Sequence, residues 1–353
     1  MKICIISGSD LRYYGGGEKD LIRWASKLNT KFELTIFSIK DKNPNNWRVS
    51  KEFVEDKLRG VKIVWYRGRK LKLLKDILPL QKIDVRNYDK VYSMCQGFLL
   101  NRKLVRQSKR FLLGIHTQST LMKHPVEVRK LWKRVFFRVL YSINMHYIKK
   151  ADEIRIQNKD DKRRLKEIGF KGKIWNVPPS MFDVTPEPLE PEEFYVIWIN
   201  RVSPEKRPEN LVEIANMLPK IQFHAVGSGS MEYVFNDSPN IKKMGFLSEE
   251  KLSLELQKAS VCVLTSRGET FGMSGVEAQA YGVPTISYDV MGLRDYNEVR
   301  ETTNQICLRI LDYYHEFIYD KKEYMEKRKF LREKILEQFS DDVVIPQIAD
   351  MLR

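Results

Sequence analysis

Nine short apolar runs rich in Ile, Val, Phe and Tyr punctuate the chain. They are KICIIS, FELTIFSI, VKIVWY, DKVYSM and FLLGIH in the first half, then YVIWIN, IQFHAVG, VCVLTS and PTISYDV in the second. Longer amphipathic segments separate them, and strand-helix alternation of this kind predicts parallel sheets covered by helices. Within the runs the apolar-polar alternation is weak, as expected for strands buried on both faces. At 353 residues the chain exceeds the length over which one hydrophobic core keeps growing, so two domains are expected. The fold class is α/β, with two doubly wound parallel-sheet domains of the Rossmann-like kind.

The expected boundary is VPPSMFDVTPEPLEPEE, residues 177–193, where five prolines coincide with a switch from basic to acidic character. Proline stiffens a chain and removes backbone donors, which suits a connector. The expected domains are 1–180 and 194–339, joined by a connector over 181–193. A terminal helix at 340–353, capped by Ser340 with Asp341 and Asp342 in its first turn, could rejoin the first domain. Before it, residues 313–339 read as one long charged helix.

Net charge is +16, unevenly spread: residues 1–180 hold 42 Lys and Arg against 17 Asp and Glu, and the remainder 20 against 29. A basic half of this kind points to an anionic partner. Residues 101–150 carry 13 basic residues and one acid, Glu127. Helical periodicity there places Val128, Trp132, Val135, Val139 and Ile143 on a face expected to pack inward, with Phe137 and Tyr141 among the basic residues. Aromatics interleaved with cations suit an anionic membrane surface. They also suit stacking on single-stranded nucleic acid, although no recognised nucleic-acid motif occurs.

No window is apolar enough to span a bilayer, since Arg138 breaks even VFFRVLYSI, and the apolar run after Lys2 is too short for a signal peptide. Cys4, Cys95, Cys262 and Cys307 are scattered without metal-ligand spacing, as expected of thiols in a reducing compartment. The expected location is cytoplasmic, peripheral on the inner face of a membrane.

Three glycine-containing junctions follow expected strands. In GSDLRYYGGGEKDL, Gly15, Gly16 and Gly17 precede a helix expected near Glu18. Glycines admit close backbone approach to a ligand, and helix N-termini favour anions; a plain flexible turn explains this stretch as well. VGSGSMEYV, with Gly227 and Gly229, offers the same two readings. In SRGETFGMSGVEAQAYGVP, Glu269 just precedes a helix and Glu277 lies on it, with Gly282 and Pro284 ending it. Between these, INRVSPEKRPENL presents Arg201 and Lys206, two cations able to clamp a diphosphate or to form a solvated basic loop.

Taken together, GGGE, then R-x4-K, then G-x-G, then Glu-x7-Glu followed by A-x-A-x-G-x-P resemble the retaining GT-B glycosyltransferases, family 4 in particular, over nearly the whole chain. The resemblance implies two domains facing a cleft, with a nucleotide-sugar donor (UDP-, GDP- or ADP-sugar) and no metal or other cofactor. It implies that Arg201 and Lys206 contact the donor diphosphate and that Glu277 accepts from the ribose hydroxyls. Glu269 would address the transferred sugar, beside backbone contacts from Thr270, Phe271 and Gly272. Ionised acids only accept hydrogen bonds and sugars offer hydroxyl donors, which suits both Glu residues; a bare salt bridge is the other reading of either.

Gly16 and Gly17 would reach the phosphates, Gly227 and Gly229 would border them, and the base would lie beside Phe246 and Leu247. His116, in LLGIHTQST, falls where relatives often carry a His near the sugar, although a lone strand-end His is also frequently structural. The implied chemistry is same-face displacement in which the leaving phosphate oxygen takes the acceptor hydroxyl's proton. The implied partners are a nucleotide sugar and a glycan or lipid-linked acceptor, with no nucleic acid; the basic residues of 101–150 suit an anionic membrane surface or, alternatively, a phosphorylated or otherwise acidic soluble acceptor.

Two departures stand out. Arg207 and Pro208 follow Lys206 where relatives usually have Gly, and VPPSMF replaces the usual P-N-G after the connecting strand. A sugar-nucleotide epimerase of the same fold and a basic nucleic-acid-binding protein are the competing readings.

Overall fold

A computed structural model describes residues 1–41, 43, 48–67, 82–94, 98–116, 131–182 and 185–353, without the side chains of 98–99, 131–138 and 140. The chain divides into two compact units, Met1–Met181 with Asp341–Arg353, and Phe182–Ser340.

The first unit is built on seven parallel strands: β1 (Lys2–Ile6), β2 (Glu33–Lys40), β3 (Lys62–Arg67), β4 (Lys90–Ser93), β5 (Phe111–Gly114), β6 (Glu153–Ile156) and β7 (Lys173–Asn176). Their order is β3-β2-β1-β4-β5-β6-β7. The second unit holds β8 (Tyr195–Ile199), β9 (Gln222–Val226), β10 (Ile241–Gly245), β11 (Val261–Leu264), β12 (Thr285–Tyr288) and β13 (Glu298–Arg300). Their order is β10-β9-β8-β11-β12-β13, again all parallel. Both sheets are doubly wound, as the alternation of runs predicts.

Weak alternation has a direct cause. In β1, Cys4 and Ile6 feed one buried cluster while Ile3 and Ile5 feed another on the opposite face. In β8, Val196 and Trp198 point to one cluster and Ile197 to the other. Every position of such a strand is interior, so apolar residues run continuously. Each fully buried aliphatic side chain contributes about 1.5–3 kcal/mol relative to exposure.

The C-terminal helix Asp341–Leu352 belongs to the first unit, where Val344, Ile348, Ala349, Met351 and Leu352 pack with Leu21, Trp24 and Leu28 of the helix Gly16–Leu28. Asp341 is almost fully buried and is met by Lys27 at 2.8 Å and by the Ser180 hydroxyl at 2.6 Å.

Three expectations are corrected. Residues 313–339 are not one helix: Thr303–Tyr319 and Lys321–Phe339 are separated at Asp320, whose backbone leaves the helical region (φ −141°, ψ 54°) and whose side chain accepts from the Glu323 amide. An Asp in a charged stretch reads as a solvent-facing residue until its capping role is seen.

The helix after the first Gly junction starts at Gly16, ahead of Glu18, because the Glu18 carboxylate folds back to accept from the Gly15 amide at 3.0 Å and supplies a cap two residues early. The helix Leu131–Ile148 is turned the other way round from expectation. Met145 and Ile148 are buried and Tyr141 packs partly against the same cluster, while Val139 and Ile143 are 53% and 38% exposed. Residues two apart on a helix lie about 200° from each other, so choosing the Val139 stripe instead of the Tyr141 stripe exchanges inside and outside. Val128 and the side chains of Trp132, Val135 and Phe137 lie outside the described residues.

Among the described residues no helix is long and apolar enough to cross a membrane. Cys4, Cys262 and Cys307 are buried thiols, and Cys95 is outside the described residues.

Candidate functional site

In a doubly wound sheet the two central strands send their following loops to opposite faces, which opens a crevice beyond their C-terminal ends. That switch point lies between β8 and β11 in the Phe182–Ser340 unit and between β1 and β4 in the other.

From the end of β8 the chain is held against the β9 loop, with Asn200 N–H donating to Val226 O and Val202 N–H to Ser228 O, both at 3.1 Å. The glycines of that loop serve this approach. A Cβ on Gly227 would lie 1.8 Å from Asn200 O and one on Gly229 2.3 Å from Val202 O. The amides of both are used internally, Gly227 on Gly245 O at 2.7 Å and Gly229 on the Glu232 carboxylate at 2.7 Å. Close packing of two loops is therefore what these glycines demonstrably provide. Beyond β10, Phe246 is 54% exposed and Leu247 packs partly against the core.

A short 3-10 turn, Pro204–Lys206, then throws Lys206 toward β11. Arg207 sits in the left-handed region (φ 48°), a position that suits glycine, and Pro208 opens the helix Pro208–Met217 at its first residue, where a missing N–H costs nothing. The turn is fastened by a chain of hydroxyl bonds. Trp198 Nε1 donates to Thr265 Oγ1 at 2.8 Å, Thr265 Oγ1 donates to Lys206 O at 2.7 Å, and Arg267 N–H donates to Glu205 O at 3.0 Å.

The result is a direct ion pair between Lys206 Nζ and Glu269 Oε1, which also accepts from Ser266 Oγ at 2.7 Å. Lys206 and Glu269 are only 17% and 19% exposed. Glu269 is itself fixed by its backbone: its N–H donates to Met291 O at 2.8 Å, and a Cβ on Gly292 would stand 1.9 Å from its carbonyl oxygen. Arg201 lies farther out, 61% exposed and 3.9 Å from Glu205.

Gly272 takes φ 78° and starts the helix Met273–Ala280. Phe271 beside it is buried in an aromatic cluster with Tyr296 and Phe339, and Thr270 is half-buried. Glu277 is half-buried on the helix. Its charge adds to the burial that pushes the Cys262 thiol up to about 12.

In the first unit, Gly16 and Gly17 form the first turn of Gly16–Leu28, at the end of β1, and a Cβ on Gly17 would meet Met94 just past β4 at 3.7 Å. His116 follows β5. Its Nε2 lies 2.7 Å from the Tyr92 hydroxyl, and Arg155, fully buried, reaches Tyr92 at 3.3 Å and Asp20 at 2.9 Å. Burial, with the Arg155 charge behind it, pushes the His116 imidazole down to about 3.

Of the residues singled out from the sequence, Lys206 and Glu269 are brought into contact, and Arg201, Thr270, Gly272 and Glu277 share the elements around the same switch point. Sequence reasoning passes over Thr265 and Ser266, which orient that pair, and over Tyr92, Asp20 and Arg155 behind His116. Thr265 and Ser266 adjoin the Glu269 motif, so adjacency could have pointed to them; Arg155 carries no such signal.

Residues 182–307 match the family model described as "Glycosyl transferases group 1". An O-antigen biosynthesis glycosyltransferase of Escherichia coli, WbnH, is 28% identical over 142 residues, covering 39% of this chain and 41% of that protein. The chain thus matches about two fifths of that relative's length. Among solved structures, sucrose-phosphate synthase of Thermosynechococcus elongatus superposes with a TM-score of 0.77 at 16% identity, covering 99% of this chain and 98% of that one. Anabaena HepE in complex with UDP-glucose gives 0.74 at 16% identity, covering 100% and 99%. The fold is thus that of GT-B glycosyltransferases, and residues 182–307 of this chain match the glycosyl transferases group 1 model.

Proposed function

We propose that the chain is a retaining glycosyltransferase that moves a sugar from a nucleotide-sugar donor to an acceptor hydroxyl. The observation that carries this is the Lys206–Glu269 pair, poised on Ser266 at the β8/β11 switch point inside the matched domain. A cation there neutralises charge that grows on the departing diphosphate, and Arg201 from the same loop adds a second. Glu269 accepts from hydroxyls of the transferred sugar and Glu277 from the ribose. In the transfer itself the bond from the anomeric carbon to the diphosphate oxygen breaks. The acceptor oxygen bonds to the same face of that carbon, and its proton passes to the leaving phosphate oxygen. Neither a metal nor a side-chain base is needed for that balance.

HepE was solved with UDP-glucose, which makes UDP-sugars the first donors to try. Incubating the chain with UDP-, GDP- and ADP-sugars plus glycan acceptors should give a product whose anomeric proton coupling matches the donor's. An inverted product, or epimerised nucleotide sugar formed without acceptor, would overturn the assignment.

For the acceptor, a membrane-proximal or lipid-linked glycan is supported by the charge of residues 1–180 and by Val139 and Ile143, apolar and exposed in a segment with 13 basic residues and one acid. Val139→Ser with Ile143→Ser should weaken sedimentation with vesicles containing about 30% anionic lipid severalfold while leaving turnover of a soluble acceptor unchanged, since each basic residue near the surface still contributes about 1 kcal/mol. Unchanged sedimentation removes the membrane contact.

A further inference from the structure

The hydrogen bond at His116 can be assigned a direction from the groups behind it. Arg155 is a permanent donor and cannot accept. Its Nη1–H donates to the Tyr92 oxygen at 3.3 Å, and the same nitrogen reaches Asp20 Oδ2 at 2.9 Å. Tyr92 is fully buried, and burial raises its pKa to about 12, so it keeps its proton. Among the described residues the hydroxyl has two partners, Arg155 and His116 Nε2 at 2.7 Å. Of these two partners only Nε2 can take the phenolic proton, so it carries a lone pair. A neutral imidazole with Nε2 unprotonated has its proton on Nδ1.

Gly114 shows that the contact is built. It ends β5, and a Cβ there would lie 2.6 Å from both His116 Nε2 and the Tyr92 hydroxyl. A strand glycine of this kind marks a close approach. Any side chain at 114 would force one of the two groups to move.

We propose that Tyr92 and Arg155 are positioning residues that hold His116 as the neutral tautomer protonated on Nδ1, so that any hydrogen bond it makes to a substrate oxygen is donated from Nδ1 and it does not act as a base. Its one basic nitrogen is already occupied by Tyr92. Transfer in which the leaving phosphate takes the acceptor's proton is compatible with this, because the imidazole is not asked to accept one. Among the described residues, the charged and titratable groups facing His116 are Tyr92 from β4, Arg155 from β6 and, through Arg155, Asp20 from the helix Gly16–Leu28. The Arg155 guanidinium opposes a second positive charge on the ring, in line with the depressed imidazole pKa.

The catalytic consequence rests on the glycosyltransferase reading; the tautomer does not. The test is long-range proton–nitrogen correlation on the full-length chain labelled with nitrogen-15, with the His116 signals assigned by their loss in His116→Gln. Wild type should show a protonated Nδ1 and a bare Nε2 at every pH from 5 to 8. Tyr92→Phe removes the donor and Gly114→Ala wedges the two groups apart, and each should shift the ring toward the Nε2-protonated form. In transfer assays both should lower kcat about tenfold, the worth of one misplaced hydrogen bond, with little change in KM for the nucleotide sugar. An Nε2-protonated ring in wild type overturns the proposal, as does a tautomer that neither substitution moves. Absence of transfer by wild type with the tautomer as stated would count against the glycosyltransferase reading alone.

Discussion

Replacing Arg155 by Met should destabilise the first unit by about 3–5 kcal/mol, the usual cost of breaking a buried ion pair on one side. Arg155 and Asp20 are 0% and 1% exposed and meet at 2.9 Å. Desolvation works against the guanidinium charge, but Asp20 and Tyr92 raise its pKa still further. The guanidinium also donates to Val177 O at 3.0 Å and Pro178 O at 2.5 Å, and Asp20 accepts from the Ser180 amide at 2.7 Å. Thus one buried pair fastens the segment by which the chain leaves the first unit at Met181.

Urea unfolding followed by tryptophan fluorescence reads the effect as a lower midpoint. Adding Asp20→Leu to Arg155→Met should restore part of the loss, because the buried carboxylate no longer lacks a partner, while the carbonyls of Val177 and Pro178 still do. An Arg155→Met midpoint within error of wild type would mean the network contributes nothing. By contrast, Arg201→Ala should shift stability by less than about 1 kcal/mol, as its 3.9 Å approach to Glu205 is solvent-exposed.

Arg155 illustrates what a sequence can and cannot display. All nine apolar runs form strands, since their composition states burial on both faces. Four further strands go unread, each for a physical reason. β6 is Glu-Ile-Arg-Ile, whose charged positions look like a solvent face, yet Glu153 and Arg155 are 1% and 0% exposed because Lys90 and Asp20 meet them. β7 and β10 are edge strands with lysines, as edges tend to be. β13 has three residues, too few to show a period.

The same limit governs the candidate site. Glu269 and Lys206 stand out individually, one beside glycines and one in a basic loop, but their contact spans 63 positions of sequence and no spacing rule reaches that far. Burial of a charge depends on a partner from another strand, and partner identity is a property of the fold.

The Lys206–Glu269 contact leads to the second large effect, and here the two partners should respond differently. Lys206→Ala should lower kcat by about 10²–10³, the cost of deleting one group that stabilises developing negative charge. It should also weaken binding of the bare nucleoside diphosphate, since the cation is lost from both ground and transition states. Glu269→Ala removes a carboxylate paired to that lysine, so transfer should fall comparably while the nucleoside diphosphate binds as well as before or better, Lys206 now being unneutralised.

Thermal shift separates the two. At ligand concentrations about 100 times the dissociation constant, wild type gains about 2.7 kcal/mol; Lys206→Ala should gain less and Glu269→Ala at least as much. In the absence of ligand each substitution should cost about 1–3 kcal/mol, the cost of leaving one partner of a largely buried pair unmatched. Near-normal turnover by Lys206→Ala, together with near-normal turnover by Glu277→Ala, would remove the donor site from the β8/β11 switch point. Equal loss of nucleotide binding in Lys206→Ala and Glu269→Ala would instead mean that the pair acts as a structural clip on the loop, with the phosphate held by other groups.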